Sequence, residues 1–522
     1  MKDMKFAWAT MAVVLLWAFG CSKDDGPTVP SGTFEIDQSS MDFGHVPKGE
    51  VKSMKATVTN EGEGDLMLKE VAFSGTNASD FNLGSSIADR TIQMGGSLEL
   101  EVVFEPTQIG AKEALLTINS NLGVHTVKLS GESLDPDGVV NVPDAVLKTR
   151  LLGLGKTSNG TLEGYTTSII DTNEDGEIQV SEAWAQEGLL MCLDGEVTDM
   201  TGLEAFVNIR ALLISGTQVS ALDLSDNQAL EFVFVQDNVL TQLDISELPN
   251  LRGLYCNDNQ LTSLDVSNNP ELKELMVYKN QLTGLDVSQN PNLNRLVASD
   301  NQLGSLDVTN NTELVQLRVH NNQLTALDVT NNAKLIALWA NGNELSQLDL
   351  SQNTLLMDLD ISNNQLNTLD ISKLLLLEEL SCGNNQLTNL DLSNNVELKS
   401  LSCIYNALTN LDVTQNTKLI SLSCFDNGLT SLDVSQNVTL QSLYCGVNQL
   451  TALDVSSNVA LSYLTCEQNQ LVSLNLANGV NEELFLMNAQ NNDLSCIQID
   501  EGFVPPVDWV KDETANYNSN CP

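Results

Sequence analysis

The chain is 522 residues long, room for several domains, and sets 69 acidic against 24 basic residues for a formal charge of −45. A field of that sign repels nucleic acid and anionic lipid, and favours cations, basic partners and solubility in salt. The three histidines (His45, His125, His320) stand far apart in the sequence and pair with no cysteine cluster at metal-ligand spacing.

The first segment reads MKDMKFAWATMAVVLLWAFGCSKDDG. Lys2 and Lys5 precede an apolar run from Phe6 to Phe19, too short and wrongly flanked for a helix that stays in a membrane. This stretch resembles a bacterial lipoprotein signal (1–20) with Cys21 as the lipidated residue. Lys23-Asp24-Asp25 resembles the acidic tag that exports some Gram-negative lipoproteins. The resemblance implies an outer-membrane lipoprotein on the cell surface, touching the membrane through its lipid anchor only. A plain secretory signal with Cys21 unmodified is the alternative. Residues 21–32, acidic and then rich in Pro and Gly, read as a linker.

Residues 33–133 alternate short β-rich runs with turn residues, as in KATVTN, LELEVVFEP, ALLTINSN and HTVKLSGES, and predict an antiparallel sandwich. Met41–Glu50, Val58–Leu68 and Val102–Ser120 resemble the immunoglobulin-like modules of the abnormal-spindle/hydin type. The resemblance implies a spacer or adhesive stalk.

Residues 138–196 predict a small helical cap. Pro143 and Asp144 suit a helix start, and SEAWAQEGLL (181–190) reads as a second helix. Between them DTNEDGEIQVSE fits the twelve-residue EF-hand calcium loop. Asp171, Asn173 and Asp175 fall at its first three ligand positions, Gly176 at its sharp turn, Glu177 at the carbonyl ligand, Gln179 at the direct or water-mediated one, and Glu182 at the bidentate one. Structural calcium is the cofactor expected; an acidic turn that stays empty is the alternative. The arrangement resembles the N-terminal cap of bacterial leucine-rich-repeat proteins.

From Leu222 the triplet Leu-Asp-(Val/Leu/Ile) recurs at Leu243, Leu264, Leu285 and onward to Leu453, twelve times at one fixed interval and without an insertion. A constant period of this length marks a solenoid. With columns numbered from the triplet leucine, columns 1, 3, 9, 12, 14 and 19 are apolar and column 17 is always asparagine, from Asn238 to Asn469. The pattern L-x-x-L-x-(C/V)-x-x-N-x-L resembles the leucine-rich repeat, in its short, nested bacterial class. The resemblance spans 197–496, about fourteen coils, and implies a curved solenoid with a parallel sheet on its concave face. The fold class expected is thus β-rich and multidomain: a sandwich, then a solenoid with a small cap, closed by a C-terminal cap (497–522). The asparagine column is expected to bond backbone in the turn after each strand.

Cys256, Cys382, Cys403, Cys424, Cys445 and Cys466 share column 14 with Val235, Ala298 and Ile361. Column 14 lies two residues from the leucines of column 12, so on a strand both face the core. Buried free thiols are expected there rather than a metal or redox array, and Cys192 in the cap is read the same way. Cys496 and Cys521 form the remaining downstream pair, a disulfide in an exported protein. The aspartate of the triplet recurs from Asp223 to Asp454 and reads as a solvated acidic ridge, with weak cation binding as the sharper alternative.

Columns 11, 13 and 15 project from the concave strands, and column 16 lies at their edge. The nine aromatic residues of the twelve regular coils all fall in these four columns. Strand preference for aromatics accounts for part of this, and exposed aromatics on a concave sheet also suit a binding site. The ligand-binding set expected is Phe232, Phe234, Tyr255, Met276, Tyr278, Arg318, His320 and Trp339. No nucleophile motif, phosphate loop or singular carboxylate pair points to an enzyme. The sequence therefore predicts a surface-anchored binding protein, an adhesin or ligand-capturing lipoprotein that takes a protein or glycan on its concave face, with no nucleic acid and as a monomer. A structural spacer with no specific ligand is the second reading.

Overall fold

The computed structural model describes residues 32–86, 89–154, 161–192 and 195–521. The expected signal peptide, Cys21 and nearly all of the first linker lie outside them. The described chain forms two compact units that meet in sequence at Leu134 and Asp135.

The first unit is a sandwich of two sheets. β1 (Glu35–Ile36), β3 (Lys52–Thr59), β7 (Ser97–Phe104) and β5 (Phe81–Leu83) pair in that order; β2 (Ser40–Pro47), β9 (Gly123–Leu134), β8 (Gly110–Ser120), β4 (Leu66–Ser74) and β6 (Arg90–Ile92) make the other sheet. Alternation along β7, where Leu100, Val102 and Phe104 are fully buried, supplies one inner face. Phe43, Phe81 and Phe104 meet at 4.8–5.6 Å between ring centroids. Gly131 sits beneath them, where a Cβ would stand 2.8 Å from Phe104. Buried Asn60 ties the first edge together, donating to the carbonyls of Gly64 and Ile92 and accepting the Thr33 amide.

The second unit opens with α1 (Ala145–Gly153). Asp144 caps it, accepting the Val146 and Leu147 amides. The second expected helix is cut short: α2 spans only Val180–Trp184, and the apolar GLLMC that follows is a strand, Gly188–Cys192, parallel to Ala211–Ser215. An apolar run beginning at Gly188 gains more by pairing with the solenoid's first strand than by continuing a helix on the cap surface. The main sheet consequently holds 16 strands, from Gly188–Cys192 to Val510–Lys511. The repeat thus makes about 16 turns rather than fourteen, because residues read as caps at both ends also add strands.

Inside the solenoid the six apolar columns pack as one continuous core that runs into both caps. Two asparagine ladders satisfy the turns. In column 17, Asn259 donates to the carbonyls of Val235 and Cys256 and accepts the Leu240 amide of the preceding coil. In column 6, Asn269 donates to Ile245 and Leu248. Column 16 adopts left-handed backbone in every regular coil, from Asp237 (φ 58°) through Tyr405 (52°) to Gln468 (54°), with Gly342 (66°) among them. The last coil absorbs its two extra residues in the short helix Asn481–Glu483, and Asn492 resumes the ladder by accepting the Leu471 amide. Trp509 seals the end, 5% exposed, donating to the Leu484 carbonyl.

Candidate functional site

The concave strands are short, Phe232–Phe234 and its successors, each in register with its counterpart in the next coil. Column 12 points inward, so columns 11 and 13 line the outer face of the sheet. Two separate groups of expected ligand-binding residues assemble there.

The first group is aromatic. Phe234 stacks on Tyr255 at 4.2 Å and 13°, and Phe232 lies 6.5 Å from Phe234. Phe234 is only 8% exposed, so it serves as packing beneath its neighbours and offers little contact surface of its own. The Tyr255 hydroxyl donates to Glu274 at 2.7 Å; burial first, then that bond, push its ionisation far above the ordinary tyrosine range. Met276 follows in the same column and is half-buried. Tyr165, from the cap, reaches within 6.4 Å of Phe232 and sits under Arg210 at 5.1 Å. Sequence reading did not bring Tyr165 to the site, because nothing in its short strand, Tyr165–Thr166, repeats in a way that would fix its place beside the first coils.

The second group is cationic and aromatic together. The Arg318 guanidinium lies 3.8 Å from the centroid of the Trp339 ring, and the Trp339 indole N–H donates to Asp358 at 2.7 Å. His320 tilts against the same indole at 6.1 Å and faces Asp300 at 3.7 Å. Burial, outweighing the attraction of Asp300, lowers the His320 pKa; burial and then the neighbouring Arg295 lower that of Arg318. Tyr278 stands apart from both groups, in column 15, with Lys279 6.0 Å above it. Arg318, His320 and Trp339 therefore come together, Phe232, Phe234 and Tyr255 come together, and Tyr278 joins neither. Asp358 was missed: it reads as one more acid until its oxygen is seen holding the indole.

Further along, the sheet turns to hydroxyls. Ser381, Ser402 and Ser423 stack in one column and Ser400, Ser421 and Ser442 in the next. The aspartates of column 2 are turn-formers: Asp307 accepts the amide and the hydroxyl of Thr309, at 2.9 and 2.6 Å. These bonds hold its carboxyl below the usual range.

In the cap loop Gly176 takes φ +82°, as its sharp turn requires. Asn173 Nδ2 lies 3.0 Å from Asp175 Oδ2 and 3.2 Å from Gln179 Oε1, and Gln179 Nε2 lies 2.9 Å from Asp175 Oδ2. Three expected ligands thus converge, with both amide nitrogens donating to Asp175 and Asn173 Oδ1 accepting the Asp175 amide at 3.0 Å. Asp171 is 4% exposed. Glu182 instead turns to the loop backbone, accepting the Thr172 amide at 2.6 Å and the Gln179 amide at 3.1 Å. The Glu177 carboxylate is held by Lys148 at 2.5 Å, which leaves its carbonyl for the role expected. Among the described residues no three acidic, histidine or cysteine side chains form a closed metal cage.

Cys256 and the five consecutive cysteines Cys382, Cys403, Cys424, Cys445 and Cys466 are free and fully buried. Burial raises their ionisation, to about 12 for Cys256, Cys382 and Cys424. Cys496 and Cys521 are joined by a disulfide, Cα atoms 5.8 Å apart. Cys192 closes the first solenoid strand; its side chain lies outside the described residues.

The functional domain of InlJ from Listeria monocytogenes, which includes a cysteine ladder, is 32% identical to this chain, over 68% of it and 75% of InlJ's, with a TM-score of 0.60. The chain belongs to the leucine-rich-repeat proteins. A leucine-rich-repeat protein of Leptospira interrogans shares the solenoid at 23% identity (65% of this chain, 93% of that one, TM-score 0.56). So does the internalin InlF of L. monocytogenes at 21% (67% and 95%, TM-score 0.51). Residues 32–132 match the HYDIN/CFA65/VesB-like Ig-like domain. No curated protein sequence matches the chain.

Proposed function

We propose that this leucine-rich-repeat protein is a cell-surface binding protein that captures a protein or glycan on the N-terminal half of its concave sheet. The observation that carries this is Arg318 lying on Trp339 while Asp358 fixes the indole. A cation, a large π face and an oriented carboxylate are held half-buried with no structural core to serve. The protein is anchored through a lipid on Cys21 at the outer surface of a Gram-negative cell, with the Ig-like unit as its stalk, and it is not an enzyme. Calcium, held by Asp171, Asn173, Asp175, Glu177, Gln179 and Glu182, steadies the cap as a structural ion; the convergence of three of these side chains around Gly176 supports it.

The test is a binding screen of residues 22–522 in millimolar calcium against a glycan panel and surface proteins, beside a variant carrying Tyr255→Ala, Arg318→Ala and Trp339→Ala. A ligand lost by the variant supports the reading and names the ligand class. A ligand kept by the variant moves the site off this face. No ligand at all favours the structural spacer, for which the serine-lined second half of the sheet, with few anchors for a partner, is the supporting observation.

A further inference from the structure

The flank where the chain enters each concave strand, formed by columns 7, 8 and 10, differs from every other face of the solenoid. In most coils column 8, column 10 or both hold a charged or amide side chain, and ion pairs between equal columns show that these stack directly: Glu313 with Lys334 at 2.5 Å, Glu378 with Lys399 at 2.7 Å, Glu397 with Lys418 at 2.5 Å. Across the twelve regular coils the two columns carry five acids (Glu231, Glu271, Glu313, Glu378, Glu397) and five bases (Arg252, Lys273, Lys334, Lys399, Lys418). Their net charge is zero in a chain of −45.

In the middle of this neutral strip the pattern breaks. Column 10 reads Val315, Ile336, Met357 in successive coils. The Ile336 amide donates to the Val315 carbonyl and the Met357 amide to the Ile336 carbonyl, both at 2.9 Å, so the three side chains form a file. Leu355 and Leu376 continue it in column 8 and Leu375 in column 7. All six are between 37 and 55% exposed. In the twelve regular coils every exposed Val, Leu, Ile or Met lies in columns 7, 8 or 10, except Val472 in column 20 of the last coil. The core does not need them, since the neighbouring column 9 leucines are fully buried.

We propose that this strip is a self-association surface, on which a second copy of the chain docks through a two-fold contact centred on Ile336, Leu355, Met357 and Leu376. An apolar centre bounded on both sides by paired charges is the anatomy of a protein interface. Charge favours this occupant. Two bodies of −45 repel where their aspartate columns face each other, and a flank of zero net charge carrying both signs lets like approach like; a basic partner would be drawn to the aspartate flank instead. The same patch on both copies satisfies an isologous contact. This proposal departs from the monomer expected from sequence.

The experiment is sedimentation equilibrium of residues 22–522, both folded units intact, over a range of protein concentration at low and high salt. It is repeated for Leu355→Glu/Leu376→Glu, with circular-dichroism melting of both proteins. The expected result is a monomer–dimer equilibrium that tightens with salt, as screening removes repulsion while apolar burial remains. The double variant, its melting temperature unchanged, should weaken it by roughly tenfold or more. A monomer under all conditions overturns the proposal, including one whose variants melt lower because another part of the chain covers the strip. So does a dimer that survives the substitutions or falls apart in salt.

Discussion

Asn301 reaches back one coil to accept the Leu282 amide at 3.0 Å while its own amide serves the carbonyls of Val277, Ala298 and Ser299. One side chain thereby closes two turns, its own and its neighbour's. Replacement by alanine leaves a buried N–H and buried carbonyls without partners, a cost of about 2–4 kcal/mol. Asn301→Ala should lower the urea midpoint accordingly, and Asn301→Asp, which keeps the acceptor and loses the donor, should also destabilise. A loss below about 1 kcal/mol would mean that water replaces the ladder.

The stacked thiols predict an alkaline weakness. Their folded-state pKa is raised, so the folded form prefers the neutral thiol. That contribution is complete below the ordinary thiol pKa of about 8.5 and is lost as pH climbs towards about 12. Stability should fall between about pH 8 and pH 10.5. A variant with Cys382, Cys403, Cys424, Cys445 and Cys466 changed to valine or alanine, residues the same column already accepts, should fall less. Equal losses in both proteins would assign the effect to the tyrosines instead.

The aspartate column works in the opposite direction. Hydrogen bonds from column 4 lower the pKa of Asp307, Asp328 and Asp349, so their contribution is present above about pH 3.8 and is lost as pH falls below it. Asn475, one coil past the last aspartate of the column, Asp454, already does the same job by accepting the Ala477 amide at 3.1 Å. Asp→Asn at the three positions should therefore keep the turn bond but lose its charge-assisted part, lowering the melting temperature slightly at pH 7 and reducing its further loss at pH 3. Asp→Ala at the same positions should lower it at pH 7.

Calcium should raise the melting temperature of the cap. Chelation is expected to lower it by several degrees in the parent, and to have no effect in a variant carrying Asp171→Ala and Asp175→Ala. Identical melting with and without chelator in the parent would identify the loop as a hydrogen-bonded turn alone.

The solenoid was legible because its period repeats each constraint twelve times: an apolar residue at column 12, leucine in every coil after Val233, declares the core, an asparagine at column 17 the turn. The strain of column 16 was invisible, since Asp237, Tyr405 and Val447 share no side-chain chemistry and only the backbone between two ladder bonds unites them. The ends were misread where repetition stops. Gly188–Cys192 carries no triplet, and Val510–Lys511 no asparagine, so only pairing with a neighbour reveals them as strands. At the candidate site the columns placed Arg318 and Trp339 side by side, one coil apart, but the roles of Asp358 and Glu274 needed side-chain positions.

Each regular coil bonds only to the coils before and after it, through identical columns. Cutting out residues 390–410 would rejoin Asn389 to Leu411, which stands in the column that Leu390 occupied. The length of this molecule is therefore adjustable in steps of one whole coil. Gene-level duplication or loss of a coil such as 285–305 would move the Arg318–Trp339 patch and the apolar flank together by one step along the solenoid, away from or towards its N-terminal cap.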